Sequence, residues 1–200
     1  YTRPTIWVVC GLPAGGKSTI AREMAKILGV QILQSDFVRK QLLGVPIDKP
    51  MDMPFKSGIY SKEASSLTYG KLVMSAQEVI EKGGSVILDA TFSRQHQRDE
   101  VIRLARDMDA NIIFIECAAS YEMLKKRLAD REKAACMSDA RLRHLKQLKA
   151  HFDSLKKLQN DMHLKINTEA SIDACMRQIL SHDYFFLTQQ TARAMKNISL

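Results

Sequence analysis

The chain has 200 residues, a formal net charge of +8, 46% hydrophobic residues and four scattered cysteines. This length suits one domain with a substantial core. No apolar run approaches the ~20 residues that a membrane span needs, no signal peptide opens the chain, and no cysteine pair suggests a metal or disulfide framework. We therefore expect a cytoplasmic protein without a membrane partner. The first residue, Tyr1, is not a methionine, which suggests either a trimmed chain or a domain cut from a longer protein.

The first predicted strand, residues 5–10, runs into a glycine-rich turn and a helix that ends at Gly29. Residues 11–18 match G-x-x-x-x-G-K-[ST], in which backbone N–H groups and a helix N-terminus surround a polyphosphate. Lys17 is expected to reach the β- and γ-phosphates of ATP, and the Ser18 hydroxyl to ligate Mg²⁺. A glycine-rich strand-to-helix turn without a ligand is the alternative. The predicted nucleotide contacts are Gly11, Ala14, Gly15, Gly16, Lys17, Ser18 and Thr19.

A second strand, residues 30–33, delivers Ser35 and Asp36 to the carboxyl edge of the sheet, before a short helix over 37–43. Asp36 can orient an acceptor hydroxyl or take its proton. Arg39 lies one helical turn later and can hold an anionic part of the acceptor. A helix N-cap requires the same residue type as Asp36, so the two interpretations are compatible. The loop over 44–58 is predicted to cover the substrate.

A long helix over 61–82 precedes a third strand, residues 85–89, that ends in an aspartate. Asp89 follows an apolar run and is expected to hold Mg²⁺, with a structural carboxylate as the alternative. Thr91 is expected nearby, facing the substrate. In the next helix, residues 94–108, Arg94 and Arg98 are weaker candidates for contacts with the acceptor.

A fourth strand over 111–117 and a helix over 121–131 lead into a predicted lid at about 131–141. Arg127 and Arg131 share one helix face, and closure of the lid would bring them to the transferring phosphate. Pairing with neighbouring acids such as Asp130 is the alternative. Residues 121–157 carry eleven basic and five acidic residues, so this segment would attract a polyanion, unless it is only a solvated helix face.

The last predicted elements are a helix from Ser138 or Asp139 to about residue 158, a strand over 163–167 and a helix over 172–180. Strands that alternate with helices indicate a parallel sheet covered on both faces. We predict an α/β P-loop NTPase sandwich of three layers, with a five-stranded parallel sheet in the order 2-3-1-4-5 and a helical lid. The domain is expected to span 1–182. The aromatics of the 183–200 tail either pack back or contact a partner.

Two absences narrow the class of phosphate-binding protein. Asp89 is followed by Ala90, so the glutamate that activates water in ATP-driven motors is missing, and no N-K-x-D stretch would recognise guanine. The pattern therefore favours a kinase.

Residues 6–167 resemble the P-loop kinases grouped with polynucleotide 5′-kinases, gluconate kinases and zeta toxins. They are most similar to the bacterial AAA-type ATP-binding kinase domain that is often fused to an aminoglycoside-phosphotransferase-like domain. The shared residues are the loop from Gly11 to Thr19, Ser35, Asp36, residues 39–42, Tyr60, Tyr69, residues 86–92, Arg98, residues 127–131 and residues 138–140. The resemblance implies that Asp36 is the general base, that Arg39 binds the acceptor side, and that Arg127 and Arg131 act from the lid.

Our leading hypothesis is an ATP-dependent kinase that transfers the γ-phosphoryl group of Mg·ATP to an acceptor hydroxyl, most simply that of a small molecule. One alternative is a polynucleotide 5′-hydroxyl kinase. It is less favoured, because the arginine after Asp89 is not at the offset that polynucleotide kinases use and aromatics are few in the basic segment. The other alternative is a regulatory module that binds nucleotide without transfer.

Overall fold

The computed structural model describes residues 3–42, 44, 61–133, 144–159 and 161–198. The strands are β1 (Thr5–Cys10), β2 (Gln31–Gln34), β3 (Val86–Asp89), β4 (Asn111–Ala118) and β5 (His163–Asn167). The helices are α1 (Lys17–Leu28), α2 (Ser35–Leu42), α3 (Lys62–Glu81), α4 (Gln95–Asp107), α5 (Tyr121–Lys133), α6 (Leu145–Ala150) and α7 (Ile172–Ile198). None of the helices in these ranges is both long enough and apolar enough to cross a bilayer.

The five strands form one parallel sheet in the order β2-β3-β1-β4-β5, which confirms the predicted fold and strand order. β1, which precedes the glycine-rich turn, is the central strand and is buried along its whole length. Its register aligns Val9 with Asp89, and the register of β2 aligns Gln34 with the same residue. The carboxyl ends of β1, β3 and β2 therefore lie side by side along one edge of the sheet.

The core has two halves, because successive side chains of a strand point to opposite faces of the sheet. On one face, Ile6, Val8 and Cys10 pack with apolar residues of α3 and α4. On the other face, Trp7 and Val9 pack with residues of α1 and α7. The sheet is thus covered on both sides, as a three-layer sandwich requires.

The helix predicted to run to residue 158 is wrong beyond Ala150, because the described part of it, α6, ends there. The chain then turns back onto α4. The backbone N–H of Asp153 donates to the Ser93 carbonyl at 2.8 Å, and its carboxylate accepts the Gln95 backbone N–H at 2.9 Å. Leu155 is buried in the core beside α3 and α4. These tertiary contacts, which local helical periodicity does not report, replace the last two helical turns.

The final helix is also longer than predicted, since α7 continues past residue 180 to Ile198 and crosses the domain boundary placed at 182 without a break. The polar residue Asp183 occupies a buried position on its inner face and accepts a hydrogen bond from the Trp7 indole nitrogen at 3.0 Å. Asp183 interrupts the helical spacing of apolar residues, so the sequence pattern did not predict that the helix continues past residue 180. Phe186 packs back into the core, whereas Tyr184 and Phe185 are 73% and 62% exposed.

Smaller differences concern element ends. The helix predicted over 37–43 begins two residues earlier, at Ser35, directly after β2. The substrate-covering loop predicted over 44–58, except Gly44, lies outside the described residues. The same is true of the lid beyond residue 133 and of the predicted helix start at Ser138 or Asp139.

Candidate active site

The glycine-rich turn between β1 and α1 has the backbone geometry of an anion cradle. Gly11 and Gly16 have φ values of 129° and 88°. Gly16 is the N-cap of α1, and no side chain of the described residues caps this helix. The first N–H groups of an α-helix have no partner within the helix, and together with the helix dipole they attract an anion. The loop can therefore hold a phosphate group at the start of α1.

Two loop glycines are also required by close packing against the end of β4. A Cβ atom on Gly11 would lie 2.4 Å from the Cys117 carbonyl oxygen. A Cβ atom on Gly15 would lie 2.8 Å from the Leu12 carbonyl oxygen and 3.0 Å from that of Cys117. The distances of 2.4 and 2.8 Å are shorter than real Cβ contacts, and the distance of 3.0 Å is at their lower edge. The loop thus rests directly on the backbone of the neighbouring strand, and only glycine permits this approach.

Ala14 is the non-glycine residue of the loop with left-handed backbone geometry, at a φ of 60°. Its methyl group is buried with Leu124, Leu128 and Leu145 in a small cluster between the loop, α5 and α6. The side chain therefore anchors the loop, which leaves the backbone of Ala14 to make the nucleotide contact predicted for this residue.

Lys17 lies at the first position of α1 and extends its side chain back across the loop. Its ammonium group donates a hydrogen bond to the Leu12 carbonyl oxygen at 3.0 Å. Ser18 is half-buried and Thr19 is exposed. The bond to Leu12 keeps the Lys17 ammonium at the loop, where a cation would meet the phosphates of a bound nucleotide.

Asp89, at the end of β3, is 5% exposed and neighbours the strand that precedes the loop. One carboxylate oxygen accepts a hydrogen bond from the Gln34 amide at 3.0 Å. Among the described residues no ion pair balances its charge. A buried carboxylate without a cation is costly, and an oxygen donor beside a phosphate cradle is the ligand type that Mg²⁺ prefers. Asp89 and the Ser18 hydroxyl thus fit a Mg²⁺ site. Sequence reasoning missed Gln34.

Asp36 lies in the first turn of α2, so it is inside the helix and is not its N-cap. Its carboxylate is half-exposed and pairs with the buried Arg39 guanidinium at 2.9 Å, one turn along the helix. β2 is separated from β1 by β3 alone, which places the start of α2 roughly 10 Å across the sheet edge from the loop. Arg39 therefore contacts Asp36 rather than projecting alone into the cleft. The roles of both residues toward an acceptor stay predictions.

Thr91 continues the strand pairing beyond β3. Its carbonyl oxygen accepts a hydrogen bond from the Gly11 backbone N–H at 3.2 Å. Alternation along the extended chain puts its side chain on the same side as that of Asp89. Thr91 thus lies beside the loop, while its contact with substrate stays a prediction.

Arg127 contacts the loop directly instead of the neighbouring acids of its own helix. Its guanidinium donates to the Ala14 carbonyl oxygen at 3.3 Å, and to the hydroxyl and carbonyl oxygens of Thr168 at 3.1 and 2.6 Å. The Thr168 hydroxyl lies 2.9 Å from the Gly15 carbonyl oxygen and 3.1 Å from that of Ala118. Thr168 follows β5 at the same sheet edge. That position was the available signal for this residue, which sequence reasoning missed.

The remaining predicted arginines differ from each other in environment. Arg131, one turn beyond Arg127, is half-buried and forms no ion pair with the described residues. Arg98 is fully buried, and its guanidinium donates to the carbonyl oxygens of Phe92 and Ser154 at 2.7 and 3.3 Å. This environment gives Arg98 a structural role and does not favour the predicted contact with an acceptor.

The cysteines in the described ranges are buried and free, as expected for small core residues. Burial is the main cause that raises the pKa of the Cys117 thiol to about 12, and it also raises the pKa of Cys10. Both thiols are therefore protonated and unreactive at neutral pH. Cys136 lies outside the described residues.

Comparison with known proteins places this geometry in a family. The uncharacterized protein Rv2004c of Mycobacterium tuberculosis is 32% identical over 124 residues, which is 62% of this chain and 25% of that protein. The shikimate kinase of Neisseria meningitidis serogroup C is 33% identical over 81 residues, 40% of this chain and 46% of that protein. The chain thus spans about a quarter of the length of the mycobacterial relative and about half that of the shikimate kinase.

A solved structure and a family model extend the comparison over most of the chain. The structure of the Mycobacterium tuberculosis APS kinase CysC in complex with AMPPNP and APS has a TM-score of 0.60 and 18% identity, covering 90% of this chain and 96% of that chain. At this identity the likeness shows the fold alone. The model of the AAA_33 family, described as an AAA domain, matches residues 6–155. The chain therefore belongs to the AAA_33 family.

Proposed function

We propose that the protein is an ATP-dependent kinase that transfers the γ-phosphoryl group to a hydroxyl group of a small molecule. The observation that carries this proposal is the arrangement along one sheet edge. The adjacent strands are β1, β3 and β2. The loop with Lys17 follows β1, the buried Asp89 ends β3, and the half-exposed Asp36 follows β2. The residues proposed to bind phosphate, the carboxylate proposed to bind the cation and a carboxylate that reaches solvent thus lie in one row.

In the proposed reaction, the acceptor oxygen forms a bond to the γ-phosphorus while the bond from that phosphorus to the bridging oxygen breaks. The products are ADP and a phosphate monoester, and the hydroxyl proton passes to Asp36 or through it to solvent. The Arg39 guanidinium fixes one carboxylate oxygen of Asp36. The other oxygen forms no hydrogen bond within the described ranges and can orient the acceptor. Lys17 stabilises the charge on the transferring group.

Asp89 and Ser18 would hold Mg²⁺, which neutralises charge on the β- and γ-phosphates when it is bound. Gln34 keeps the Asp89 carboxylate in one orientation through its amide. Arg127 makes no ion pair with the described residues, because its bonds go to carbonyl and hydroxyl oxygens. Its positive charge beside Ala14 therefore remains available to the phosphates, and Arg131 would add a second charge from the predicted lid.

A small-molecule acceptor is supported by the names of two relatives, a shikimate kinase and an APS kinase. The basic segment over 121–157 keeps a polynucleotide acceptor as a competing hypothesis. The aromatic ring of Tyr121 in that segment, however, has the ammonium groups of Lys125 and Lys149 within 5.6 and 5.3 Å of its centre. This ring is thus already engaged by two cations, which does not favour it as a stacking platform for a base.

The test is transfer of label from γ-³²P ATP to a panel of acceptors with Mg²⁺ present. The panel contains shikimate, gluconate, other hydroxylated metabolites and 5′-hydroxyl oligonucleotides. We expect labelling of a small molecule. Labelling of oligonucleotide ends alone, with affinity that falls steeply with salt, would favour the polynucleotide hypothesis. Nucleotide binding without transfer to any acceptor would leave only a regulatory module.

Variants then separate binding from transfer. Lys17→Ala should abolish turnover, whereas Asp36→Ala should bind ADP as the wild type does and lose transfer. Lys26→Ala is the matched control, since this exposed lysine lies on α1 and pairs only with Glu23 among the described residues. An undiminished transfer rate in Asp36→Ala would contradict the role proposed for this carboxylate.

The larger context of the domain is also a proposal. The relative Rv2004c is about four times as long as the segment it shares with this chain. This supports our expectation that the domain acts within a larger protein, whereas the fusion to an aminoglycoside-phosphotransferase-like domain rests on the sequence resemblance alone. The cytoplasmic location stays a prediction.

A further inference from the structure

The turn that follows Thr91 has a strained backbone. Phe92 has a φ of 46° and a fully buried ring. The left-handed region is sparsely populated by bulky residues, and such geometry persists only where the surrounding structure enforces it. Strain of this kind in a residue next to a candidate active site points to a role in that site.

Both peptide groups of Phe92 are held by buried side chains from two different helices. Its backbone N–H donates to the Tyr69 hydroxyl oxygen at 3.1 Å, and its carbonyl oxygen accepts from the Arg98 guanidinium at 2.7 Å. The rings of Tyr69 and Phe92 pack edge to face, with their centres 5.2 Å apart. Arg98 is itself fixed by the Gln95 side chain at 3.0 Å and by the Ser154 carbonyl oxygen. The left-handed conformation is therefore enforced from both sides.

This turn directly follows residues whose positions matter for the proposed phosphoryl transfer. Thr91 is hydrogen-bonded to Gly11 at the start of the loop, and Asp89 lies two residues before it. The turn at Phe92 then directs the chain away from the sheet edge and into α4. Because the chain bends at Phe92, the residues after it do not run beside the loop over 11–18. Burial raises the pKa of Tyr69 to about 12, so its hydroxyl is neutral at physiological pH.

We propose that Tyr69 and Arg98 are positioning residues, which hold Phe92 in its left-handed conformation and thereby fix Thr91 against the loop for phosphoryl transfer. This inference rests on the proposed kinase function. It assigns to Arg98 a role different from the acceptor contact that the sequence predicts. Neither residue needs to contact the nucleotide or the acceptor, because each acts through the backbone of Phe92.

The test uses Tyr69→Phe, which removes the hydroxyl group and keeps the ring that packs on Phe92. Tyr184→Phe is the matched control, because it removes a hydroxyl from a residue that is 73% exposed. Arg98→Lys tests the second contact and keeps the positive charge. The measurements are kcat and KM for Mg·ATP with shikimate, gluconate or water as acceptor, calorimetric binding of Mg·ADP, and hydrogen exchange of the Phe92 amide.

We expect Tyr69→Phe to lower kcat about ten-fold, the effect of leaving one buried donor unsatisfied. Its affinity for Mg·ADP should stay within about two-fold of the wild type, and its Phe92 amide should exchange about ten-fold faster. Arg98→Lys should likewise lower kcat and leave the affinity for Mg·ADP within about two-fold of the wild type. Tyr184→Phe should match the wild type in all three measurements.

The outcomes separate this inference from the function on which it rests. A wild type that transfers phosphate to none of the acceptors, water included, would refute the kinase proposal and this inference with it. A wild type that turns over, with Tyr69→Phe equally active, would refute the inference alone. A loss of Mg·ADP affinity equal to the loss of kcat would also refute it, because the turn would then support nucleotide binding and not transfer.

Discussion

The close approach of Gly11 to β4 allows a quantitative test of how the loop is built. In Gly11→Ala, the new Cβ atom would lie 2.4 Å from the Cys117 carbonyl oxygen, on a backbone with a φ of 129°. The obstacle is a backbone carbonyl within the central part of the sheet, so rotation of a side chain cannot relieve the overlap. Either the loop or the end of β4 must move.

The expected cost has two parts. The backbone conformation at Gly11 is unfavourable for an L-residue by roughly 1–3 kcal/mol. The overlap with a packed backbone adds about 1–3 kcal/mol, the range for overpacking in a core. We therefore expect Gly11→Ala to lower the free energy of unfolding by about 2–6 kcal/mol, a large fraction of the ~5–15 kcal/mol typical of a domain.

Two other glycines provide matched controls that separate these parts. Gly29→Ala places a Cβ in open space at a φ of 67°, so it tests backbone strain alone, which costs roughly 1–2 kcal/mol. Gly70→Ala places a Cβ in open space within α3 and should stabilise the protein by about 0.5–1 kcal/mol, because glycine is a poor helix former. The difference between Gly11→Ala and Gly29→Ala then gives the cost of the overlap plus the difference in backbone strain between the two φ values.

The assay is urea unfolding followed by the fluorescence of Trp7, the one tryptophan of the chain, together with calorimetric titration of Mg·ADP. Trp7 is fully buried in β1, so its emission reports on the sheet that carries the loop. If Gly11→Ala unfolds within about 0.5 kcal/mol of Gly29→Ala, the contact with β4 does not constrain the loop and our reasoning is wrong.

Three further predictions use other parts of the chain. Thr168→Val should weaken Mg·ADP binding about five-fold in calorimetry, because the loop loses the hydroxyl bond to its backbone; unchanged affinity would contradict this. The carboxylate of Glu116 lies 2.9 Å from His163 Nε2, and this hydrogen bond lowers the pKa of Glu116. The bond therefore stabilises the fold above pH 4.5, the ordinary pKa of a glutamate, and this stabilisation is lost as the pH falls through the lowered pKa. Urea unfolding between pH 6 and 3 should therefore show a smaller loss of stability for Glu116→Gln than for the wild type, and parallel curves would refute the assignment. Truncation after residue 182 removes the Trp7–Asp183 hydrogen bond and the core residue Phe186. It should lower the free energy of unfolding by roughly 3–6 kcal/mol and shift the emission of Trp7. Unchanged urea unfolding would show that the end of α7 is dispensable.

The parts of the fold that could be predicted from the sequence are those whose signal is local. The P-loop pattern over 11–18 is contiguous, and the apolar runs before it and before Asp89 mark two central strands. The strand over 163–167 was placed without error. Alternation of strands with helices then limits the topology, since parallel crossovers are almost always right-handed. The sheet order followed from these elements and the known behaviour of P-loop folds.

The parts that could not be predicted depend on contacts between residues far apart in the chain. Thr168 is 153 residues from Gly15, whose carbonyl its hydroxyl contacts, and Gln34 is 55 residues from Asp89. The places of Thr168 after β5 and of Gln34 at the end of β2 put both residues at the sheet edge, but neither place identifies the distant residue that the side chain contacts. Distant contacts also explain why the last helix was predicted to end too early. The buried Asp183 breaks the apolar pattern of α7, but Trp7 donates a hydrogen bond to its carboxylate and the helix continues.

The contacts of Arg127 reconcile its predicted catalytic role with its position. The prediction assigned it to a lid that moves onto the transferring phosphate, whereas the structure has its guanidinium bound to the Ala14 carbonyl and to Thr168. These partners are oxygens without formal charge, so the contacts fix the loop, and the guanidinium forms no ion pair with a carboxylate of the described residues. A fixed charge beside the cradle stabilises a phosphate without the reorganisation that a moving arginine requires. The predicted movement of a lid would then serve only Arg131 and the exclusion of water. On this account the loop and its first arginine form a preorganised unit, and the predicted closure would complete the site from one side.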